Sequence, residues 1–221
     1  MSFPVLLVIA YFVGSLPIGL IVGRLAAGID VREHGSGNIG ATNVWRTLTE
    51  KCGRFWGNLY GAIVWTADVC KGLLPVLAAY PYLAHNSWAT VLAGICSILG
   101  HNFSPFLRFK GGKGVATSLG VAFGLSWQAG VIGFGLWFVV LAATRYISVA
   151  SIVGTAAGAL SIWLFNHEGL PYGVFGALAT VFVVVKHRPN MKRLRAGTEP
   201  KIGERKPASG ASTSDGPVSA S

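Results

Sequence analysis

The chain has 221 residues, of which 52% are hydrophobic and only 12% charged, and its formal net charge is +10. A soluble domain usually carries about 25% charged residues, so the composition predicts a membrane protein. The basic residues stand between apolar segments instead of alternating with aromatic ones, which favours phosphate groups and anionic lipid over nucleic acid as partners.

Seven apolar segments predict seven transmembrane helices, since a helix needs about 20 largely apolar residues to cross a bilayer. The segments are 4–25, 55–84, 88–101, 115–125, 128–143, 147–165 and 170–185. The first lacks a basic leader and a cleavage site, and we interpret it as a retained helix. The second is either an interfacial helix followed by a span or one long tilted helix broken near Pro75. The short fourth and fifth segments are also compatible with one bent hairpin.

The basic residues alternate with these segments. Residues 24–54, residues 108–113, Arg145 and the tail from 186 together hold every Lys and Arg except Lys71. Seven spans put all of them on one side, which the positive-inside rule identifies as the cytoplasm. We therefore predict an all-α polytopic membrane protein with its N-terminus outside and its C-terminus in the cytoplasm. Six spans would break this alternation.

Asp68 and Lys71 lie within the second apolar segment, three residues apart and on one helix face. Charges inside a membrane are costly, and they usually pair or line a site. We interpret the two as a structural ion pair, and a direct role in a site stays open. Residues 1–206 are predicted to form one membrane domain. The small, polar, Pro- and Gly-rich residues 207–221 predict a disordered tail.

The first polar segment, HGSGNIGATNVWRT at 34–47, contains a literal GxGxxG. A dinucleotide site is excluded because that motif requires a preceding strand, and here a membrane helix precedes it. Clustered glycines still let backbone N–H groups approach an anion. A plain connecting loop is the alternative, but it does not explain Arg46, a bidentate cation. The further candidate anion-binding residues are Ser36, Gly37, Asn38 and Asn43.

The second polar segment, GHNFSPFLRFKGGKGVAT at 100–117, resembles a phosphate loop without being a Walker A sequence. Gly114 follows Lys113 where Walker A has Ser or Thr, so no Mg–ATP is expected. Lys110 and Lys113 flank two glycines and can wrap a small phosphate monoester. A basic anchor at the membrane surface is the alternative. We interpret His101 as structural.

The third polar segment, KHRPNMKRLRAGTEPKIG at 186–203, begins where the last apolar segment ends. A basic flank that binds anionic headgroups explains its Lys and Arg residues. It does not explain His187, Asn190 and Glu199 in so compact a stretch.

Several known chemistries have no signature in this sequence. No metal-ligand cluster is visible, and Cys52, Cys70 and Cys96 lack CxxC spacing. No histidine is followed by Asp five positions later, and no G-x-S-x-G is present. Carboxylates are scarce near the polar segments, so few residues qualify as a general base.

Together, the segments GSGNIGATNVWRT, GHNFSPFLRFKGGKGVAT and HRPNMKRLRAGTEPKIG, in this order, resemble the three motifs of the PlsY-type acyl-phosphate:glycerol-3-phosphate acyltransferases. DVCKG at 68–72 is similar to the D-x-x-K-G feature of that family. The resemblance covers residue 1 to about residue 203.

The resemblance implies transfer of an acyl group from acyl phosphate to the 1-hydroxyl of glycerol 3-phosphate. The products would be lysophosphatidic acid and phosphate, without CoA, acyl carrier protein or any cofactor. It also implies the bacterial inner membrane, with the active site facing the cytoplasm. A soluble acyl-phosphate synthase is a candidate partner.

The resemblance also implies residue roles. Ser36 and Arg46 would hold the acyl phosphate, and His187 and Asn190 would orient the reacting groups. Because carboxylates are scarce, we hypothesise separately that a phosphate oxygen of the substrate takes the hydroxyl proton. Glycerol 3-phosphate would bind to the loop from Gly111 to Gly114. The remaining expected substrate-binding residues are Gly37, Asn38, Asn43, Lys110, Gly112, Lys113, Arg188 and Arg193, and the expected structural residues are Glu199, Asp68 and Lys71.

Two other classes of function compete with this interpretation. An anion transporter would also have Gly-rich, basic polar segments, but its site would lie near the bilayer midplane between repeated halves. No inverted repeat is visible here. A membrane scaffold that recruits a soluble enzyme through its basic face is the other alternative.

Overall fold

The computed structural model describes residues 1–86, 88–165 and 169–204, and within these ranges it contains helices and no strand. The all-α prediction is therefore confirmed for the described residues. The predicted disordered tail at 207–221 lies outside them. The α-helices are α1 (Phe3–Ser15), α2 (Ile18–Ala27), α3 (Ala41–Cys52), α4 (Arg54–Ala79), α5 (Ala89–Asn102), α6 (Val115–Leu125), α7 (Trp127–Thr144), α8 (Ile147–Phe165), α9 (Leu170–Lys186) and α10 (Arg188–Arg195).

Every predicted apolar segment is helical, but the count of seven spans is not confirmed. Five stretches are long and apolar enough to cross a membrane, namely Phe3–Ala27, Arg54–Tyr82, Ala89–Leu107, Trp127–Thr144 and Ile147–Phe165. Counting α9 with α10, which meet at 53°, gives six. With 11 residues, α6 is only about 16 Å long, against a hydrocarbon core about 30 Å thick.

The first predicted helix is divided in two at Pro17. Proline has no N–H to donate, and it disfavours helical geometry at the preceding residue. Leu16 accordingly has ψ 120° and ends α1. Its carbonyl oxygen accepts a hydrogen bond of 2.5 Å from Lys71 Nζ, which links the break to α4.

The predicted break of the second segment near Pro75 is wrong, because α4 continues through it for 26 residues. The alternative of a separate interfacial helix is wrong for the same reason. A proline at 75 leaves the carbonyl of residue 71 without its helical donor. That carbonyl instead accepts a 2.6 Å hydrogen bond from Ser97 Oγ of α5, so the proline costs the helix little.

Glycines let the helices approach one another at backbone distance. A Cβ at Gly120 of α6 would lie 1.9 Å from the carbonyl oxygen of Val69, and a Cβ at Gly72 of α4 would lie 2.0 Å from that of Thr117. Small residues allow such close packing in membrane helices. This contact fixes the beginning of α6, and with it the preceding residues Lys113 and Gly114.

We predict that Gly120→Ala lowers the free energy of unfolding in detergent by about 1–3 kcal/mol, because the added methyl overpacks the contact between α4 and α6. The matched control is Gly135→Ala on α7, where an added Cβ meets nothing within 4 Å. That variant should be as stable as the wild type or slightly more stable, since Ala favours helix. Equal thermal unfolding of the two variants would contradict the packing argument.

Candidate functional site

All three polar segments contribute to one cavity of about 1490 Å³. Ordinary small-molecule sites span roughly 300–1,000 Å³, so this cavity has room for more than one small substrate. Its polar lining includes Ser36, Asn38, Asn43, Arg46, Lys113, Gly114, His187, Asn190, Arg193 and Glu199. The residues come from positions far apart in the chain, and the fold brings them together.

The first polar segment is held in shape by one buried amide. Asn43 Oδ1 accepts a 2.8 Å hydrogen bond from the backbone N–H of Ser36. Its Nδ2 donates to the carbonyls of Val31 at 2.8 Å and His34 at 3.1 Å. Both ends of the Asn43 side chain are thus occupied within the protein. Its contribution to a bound anion is to fix the position of Ser36.

Of the remaining residues of this segment, some shape the turn before α3 and one projects into the cavity. Asn38 Oδ1 accepts from the N–H of Gly40 at 2.7 Å just before α3 begins. Gly37 has φ +69° and is a turn residue outside the cavity lining. Arg46 projects from α3 into the cavity, where burial lowers its pKa, although a guanidinium stays protonated at neutral pH.

Helix α3 itself was missed in the sequence. Val44 and Leu48 are fully buried one turn apart. Arg46 lies on the opposite side of the helix, so burial of the apolar pair turns Arg46 toward the cavity. This i, i+4 apolar pair was a helical signal. The Gly- and Asn-rich residues before it obscured that signal.

The second polar segment lines the cavity with His101 near its start and with Lys113 to Ala116 near its end, and the loop between them does not. The N–H groups of Gly111 and Gly112 donate to the carbonyls of Asn102 at 3.0 Å and His101 at 3.1 Å. A Cβ on Gly112 would lie 2.2 Å from His101 Nε2. These glycines therefore pack the loop against the end of α5, and their N–H groups are not directed at an anion.

Lys113 and Gly114 are the residues of this loop that line the cavity. The expected binding residues that do not line it are Gly37, Lys110, Gly111, Gly112 and Arg188. Lys110 and Arg188 are exposed to the surroundings. Of the two lysines in KGGKG, only Lys113 is therefore placed to bind a phosphate in the cavity.

A chain of hydrogen bonds joins the second segment to the third. Lys113 Nζ donates to Asn190 Oδ1 at 2.5 Å, and Asn190 Nδ2 donates to Glu199 Oε1 at 2.7 Å. Arg193 Nε donates to Glu199 Oε2 at 2.8 Å. We name these four residues the Lys113–Glu199 chain. Its contacts support the anchoring role expected for Glu199.

Helix α10, which carries two members of that chain, was also missed. Asn190 and Arg193 are three residues apart and share the face turned toward Glu199. Pro189 near its start is typical of a helix N-terminus. The dense positive charge of the segment instead suggested an irregular basic flank.

Electrostatics in the cavity favour an anion. Burial raises the pKa of Glu199, but the hydrogen bonds from Asn190 and Arg193 outweigh it, so the carboxyl pKa is lowered and the group stays charged. Burial lowers the pKa of Lys113 to about 8, with Arg193 and Arg46 contributing repulsion. Arg46, Lys113 and Arg193 repel one another, and Glu199 attracts both Arg46 and Lys113 while Glu50 attracts Arg46 as well. The positive charge gathered at this end suits a phosphate group.

His187 lies between α9 and α10 and presents one defined nitrogen. Its Nδ1 is 2.8 Å from the carbonyl oxygen of Val183, which can only accept, so Nδ1 carries the proton. Burial, followed by repulsion from Lys113, lowers its pKa to about 4. The ring is therefore neutral at pH 7, and Nε2 is an acceptor.

The rest of the cavity is apolar and extends among α4, α6, α7, α8 and α9. The Trp65 and Phe134 rings lie 5.6 Å apart, and those of Phe134 and Trp137 lie 5.7 Å apart and stacked. Leu119, Ile162 and Phe175 also line this part. The cavity is thus amphipathic, with cations at one end and hydrocarbon-like walls beyond.

Asp68 and Lys71 form the predicted ion pair at 2.8 Å, and both are almost completely buried. His101 Nδ1 lies 3.6 Å from the same carboxylate oxygen. Asp68 and His101 also line the cavity, whereas Lys71 does not. Within the described residues, no group of three or more His, Cys, Asp or Glu could hold a metal.

Comparison with known proteins agrees with the motif resemblance. Residues 4–197 match the family model described as glycerol-3-phosphate acyltransferase. Proteins named glycerol-3-phosphate acyltransferase from a Nostoc species and from Bacillus velezensis are 42% and 44% identical to this chain. These alignments cover 89% and 91% of this chain and 90% and 98% of the relatives.

Solved structures of PlsY, an integral membrane glycerol 3-phosphate acyltransferase, have the same fold. Its glycerol 3-phosphate form superposes with a TM-score of 0.83 at 35% identity. Its lysophosphatidic acid form gives a TM-score of 0.80 at 34% identity. Each comparison covers 92% of this chain and 96% of the other.

We predict that Lys71→Met destabilises the protein by about 3–5 kcal/mol, because it leaves the buried Asp68 carboxylate without its cation. The double variant with Asp68→Asn removes both charges and should recover the part of the loss that the unpaired carboxylate causes, although the Lys71–Leu16 hydrogen bond stays lost. Thermal unfolding in detergent measures both variants. A Lys71→Met protein that unfolds at the wild-type temperature would show that the pair does not hold α4 in place.

Proposed function

Because this chain belongs to the glycerol-3-phosphate acyltransferase family and is an integral membrane protein of phospholipid synthesis, we propose that its acyl donor is acyl phosphate. The acyl group passes to the 1-hydroxyl of glycerol 3-phosphate, and the products are lysophosphatidic acid and inorganic phosphate. One observation carries the proposal: Arg46, Lys113 and Arg193, from three separate segments, line the polar end of a cavity whose other end is apolar.

The chemistry asks mainly for positioning and charge stabilisation. The hydroxyl oxygen of glycerol 3-phosphate forms a bond to the acyl carbonyl carbon, and the bond from that carbon to the phosphate oxygen breaks. The electron pair leaves with phosphate, and a phosphate oxygen of the substrate takes the hydroxyl proton. An acyl phosphate is already activated, so holding two anionic substrates together is the larger task.

Each of these cavity residues has its own role in the proposed reaction. Ser36 and Arg46 hold the acyl phosphate, with Asn43 fixing Ser36. Lys113 binds the phosphate of glycerol 3-phosphate, and Arg193 adds positive charge beside it. The neutral His187 Nε2 accepts a hydrogen bond from the 2-hydroxyl of glycerol 3-phosphate and so orients the attacking 1-hydroxyl, whose proton goes to the phosphate oxygen. Asn190 keeps Lys113 in position through its side-chain oxygen.

The environment proposed for this chemistry is the bacterial inner membrane, with the polar end of the cavity facing the cytoplasm. The alternation of basic regions supports an outside N-terminus and a cytoplasmic C-terminus, with α6 as a short seventh crossing. Glycerol 3-phosphate then enters from the cytosol while the acyl chain lies at membrane depth. A soluble acyl-phosphate synthase is the proposed source of the donor.

We predict that purified protein in detergent releases phosphate from palmitoyl phosphate only when glycerol 3-phosphate is also present. Arg46→Ala and His187→Ala should lower kcat/KM by at least about 100-fold, since each removes a group that holds a substrate in position for the reaction. Both variants should keep the wild-type unfolding temperature. Phosphate release without glycerol 3-phosphate, or wild-type turnover in either variant, would contradict the proposal.

Lys113→Ala should chiefly raise the KM for glycerol 3-phosphate, because it removes the cation that binds its phosphate. The matched control is Lys110→Ala, which removes a lysine three positions away that is exposed and outside the cavity. Steady-state kinetics with varied glycerol 3-phosphate separates KM from kcat. Equal effects of the two substitutions would remove Lys113 from the site.

A pH dependence follows from the lowered pKa of Lys113, which is about 8. Above that pH the amine loses its charge, so kcat/KM for glycerol 3-phosphate should fall between about pH 7 and pH 9. The substrate phosphate, with a second pKa of about 6, stays dianionic throughout this range. Lys113→Arg should flatten the profile, because arginine stays charged. A wild-type profile that is already flat would refute the assignment.

A further inference from the structure

One face of α8 follows the cavity along its length. Ser148, Ser151, Thr155 and Ile162 all line it, and their spacing puts them on one side of the helix. Ser148 lies one residue into α8 and lines the cavity together with the members of the Lys113–Glu199 chain. From there to Ile162 the helix rises about 21 Å, at 1.5 Å per residue.

The far end of this path runs into the hydrophobic core. Ala129, Ile162 and Phe175 line the cavity there, and each is at most 3% exposed. All three belong to one buried cluster together with Val91 and Val121. A chain that enters from the polar end therefore meets a wall of packed side chains at the level of Ile162.

We propose that the part of the cavity between Ser148 and Ile162, which we name the shaft, limits the acyl chain to roughly 16–18 carbons. An extended chain advances about 1.2 Å per bond, since a three-bond residue spans at most about 3.6 Å. About 21 Å of shaft therefore holds a chain of that length. The proposal rests on the proposed function, because it takes the acyl donor as the occupant of the shaft.

The depth of individual side chains then decides which donors fit. Each methylene that leaves water for an apolar wall strengthens binding by about fourfold. Chains shorter than the shaft bury fewer methylenes and therefore bind more weakly. Longer chains must bend or displace Ile162, and displacement is costly in a close-packed cluster. Ile162 therefore forms the end of the shaft, which we call its floor, and sets the upper limit on acyl-chain length.

Ala179 of α9 sets a second level partway along the shaft. It lines the cavity and is 9% exposed, and it lies eight residues before His187, or about 12 Å by helical rise. A large side chain at 179 would close the shaft at a depth of about 10 carbons. Ala177, two residues earlier on the same helix, is exposed and outside the cavity lining.

The test measures kcat/KM with saturated acyl phosphates of about 8 to about 20 carbons, at fixed glycerol 3-phosphate, for wild type, Ala179→Phe, Ala177→Phe and Ile162→Ala. Wild type should fall by about tenfold or more beyond 18 carbons. Ala179→Phe should lose long donors by a similar factor and keep wild-type rates with the shortest donor. That retained rate shows that the variant is folded.

Ala177→Phe makes the same substitution on the outer face and should match the wild type at every length. Ile162→Ala lowers the floor and should extend the limit by about two carbons. If Ala179→Phe lowers all donors equally or changes none, the shaft does not measure the chain, while phosphate release by the wild type still supports the proposed function. If the wild type releases no phosphate with any donor, both proposals fail together.

Discussion

Lys113, Asn190, Glu199 and Arg193 form the hydrogen-bonded chain on which the polar end of the cavity depends. Lys113 comes from the loop before α6, and the other three come from the C-terminal segment, so these contacts close the cavity across the bundle. A buried carboxylate is stable only when it is paired and hydrogen-bonded, and Glu199 has both an amide and a guanidinium as donors. In return, the carboxylate fixes Asn190, and Asn190 fixes the lysine.

This arrangement leaves the site with more positive charge than it neutralises internally. Glu199 offsets part of the charge of Arg46, Lys113 and Arg193, Glu50 also acts on Arg46, and the remaining positive charge suits a phosphate group. Burial makes each of these interactions stronger than it would be in water. The same cavity continues into apolar walls, so a molecule with a phosphate at one end and a hydrocarbon chain at the other matches both of its regions.

Much of the fold could be predicted from hydropathy, since the predicted segments 115–125 and 147–165 have the same bounds as α6 and α8. The errors arose where tertiary contacts overrode local signals. Pro75 does not break α4, because Ser97 from another helix satisfies the freed carbonyl. That hydrogen bond joins residues 26 positions apart, and no local sequence pattern predicts it.

The candidate site was predictable where a residue type implied a charge, and less so where its geometry mattered. Arg46, Lys113, His187 and Asn190 do line one cavity. Gly111 and Gly112 were expected to wrap a phosphate, but they pack against His101 and Asn102 instead. Sequence spacing cannot distinguish a glycine that admits a ligand from one that admits a neighbouring helix.

We propose that Lys113 and Asn190 bind glycerol 3-phosphate as one unit, and a double-mutant cycle on the binding constant tests this coupling directly. Calorimetric Kd values for wild type, Lys113→Ala, Asn190→Ala and the double variant need no turnover. If the claim is right, the double variant binds about as weakly as the Lys113→Ala single variant, because the asparagine acts through the lysine. Losses that simply add would contradict it, because they would mean that the two residues contact the ligand independently and that Asn190 does not act through Lys113.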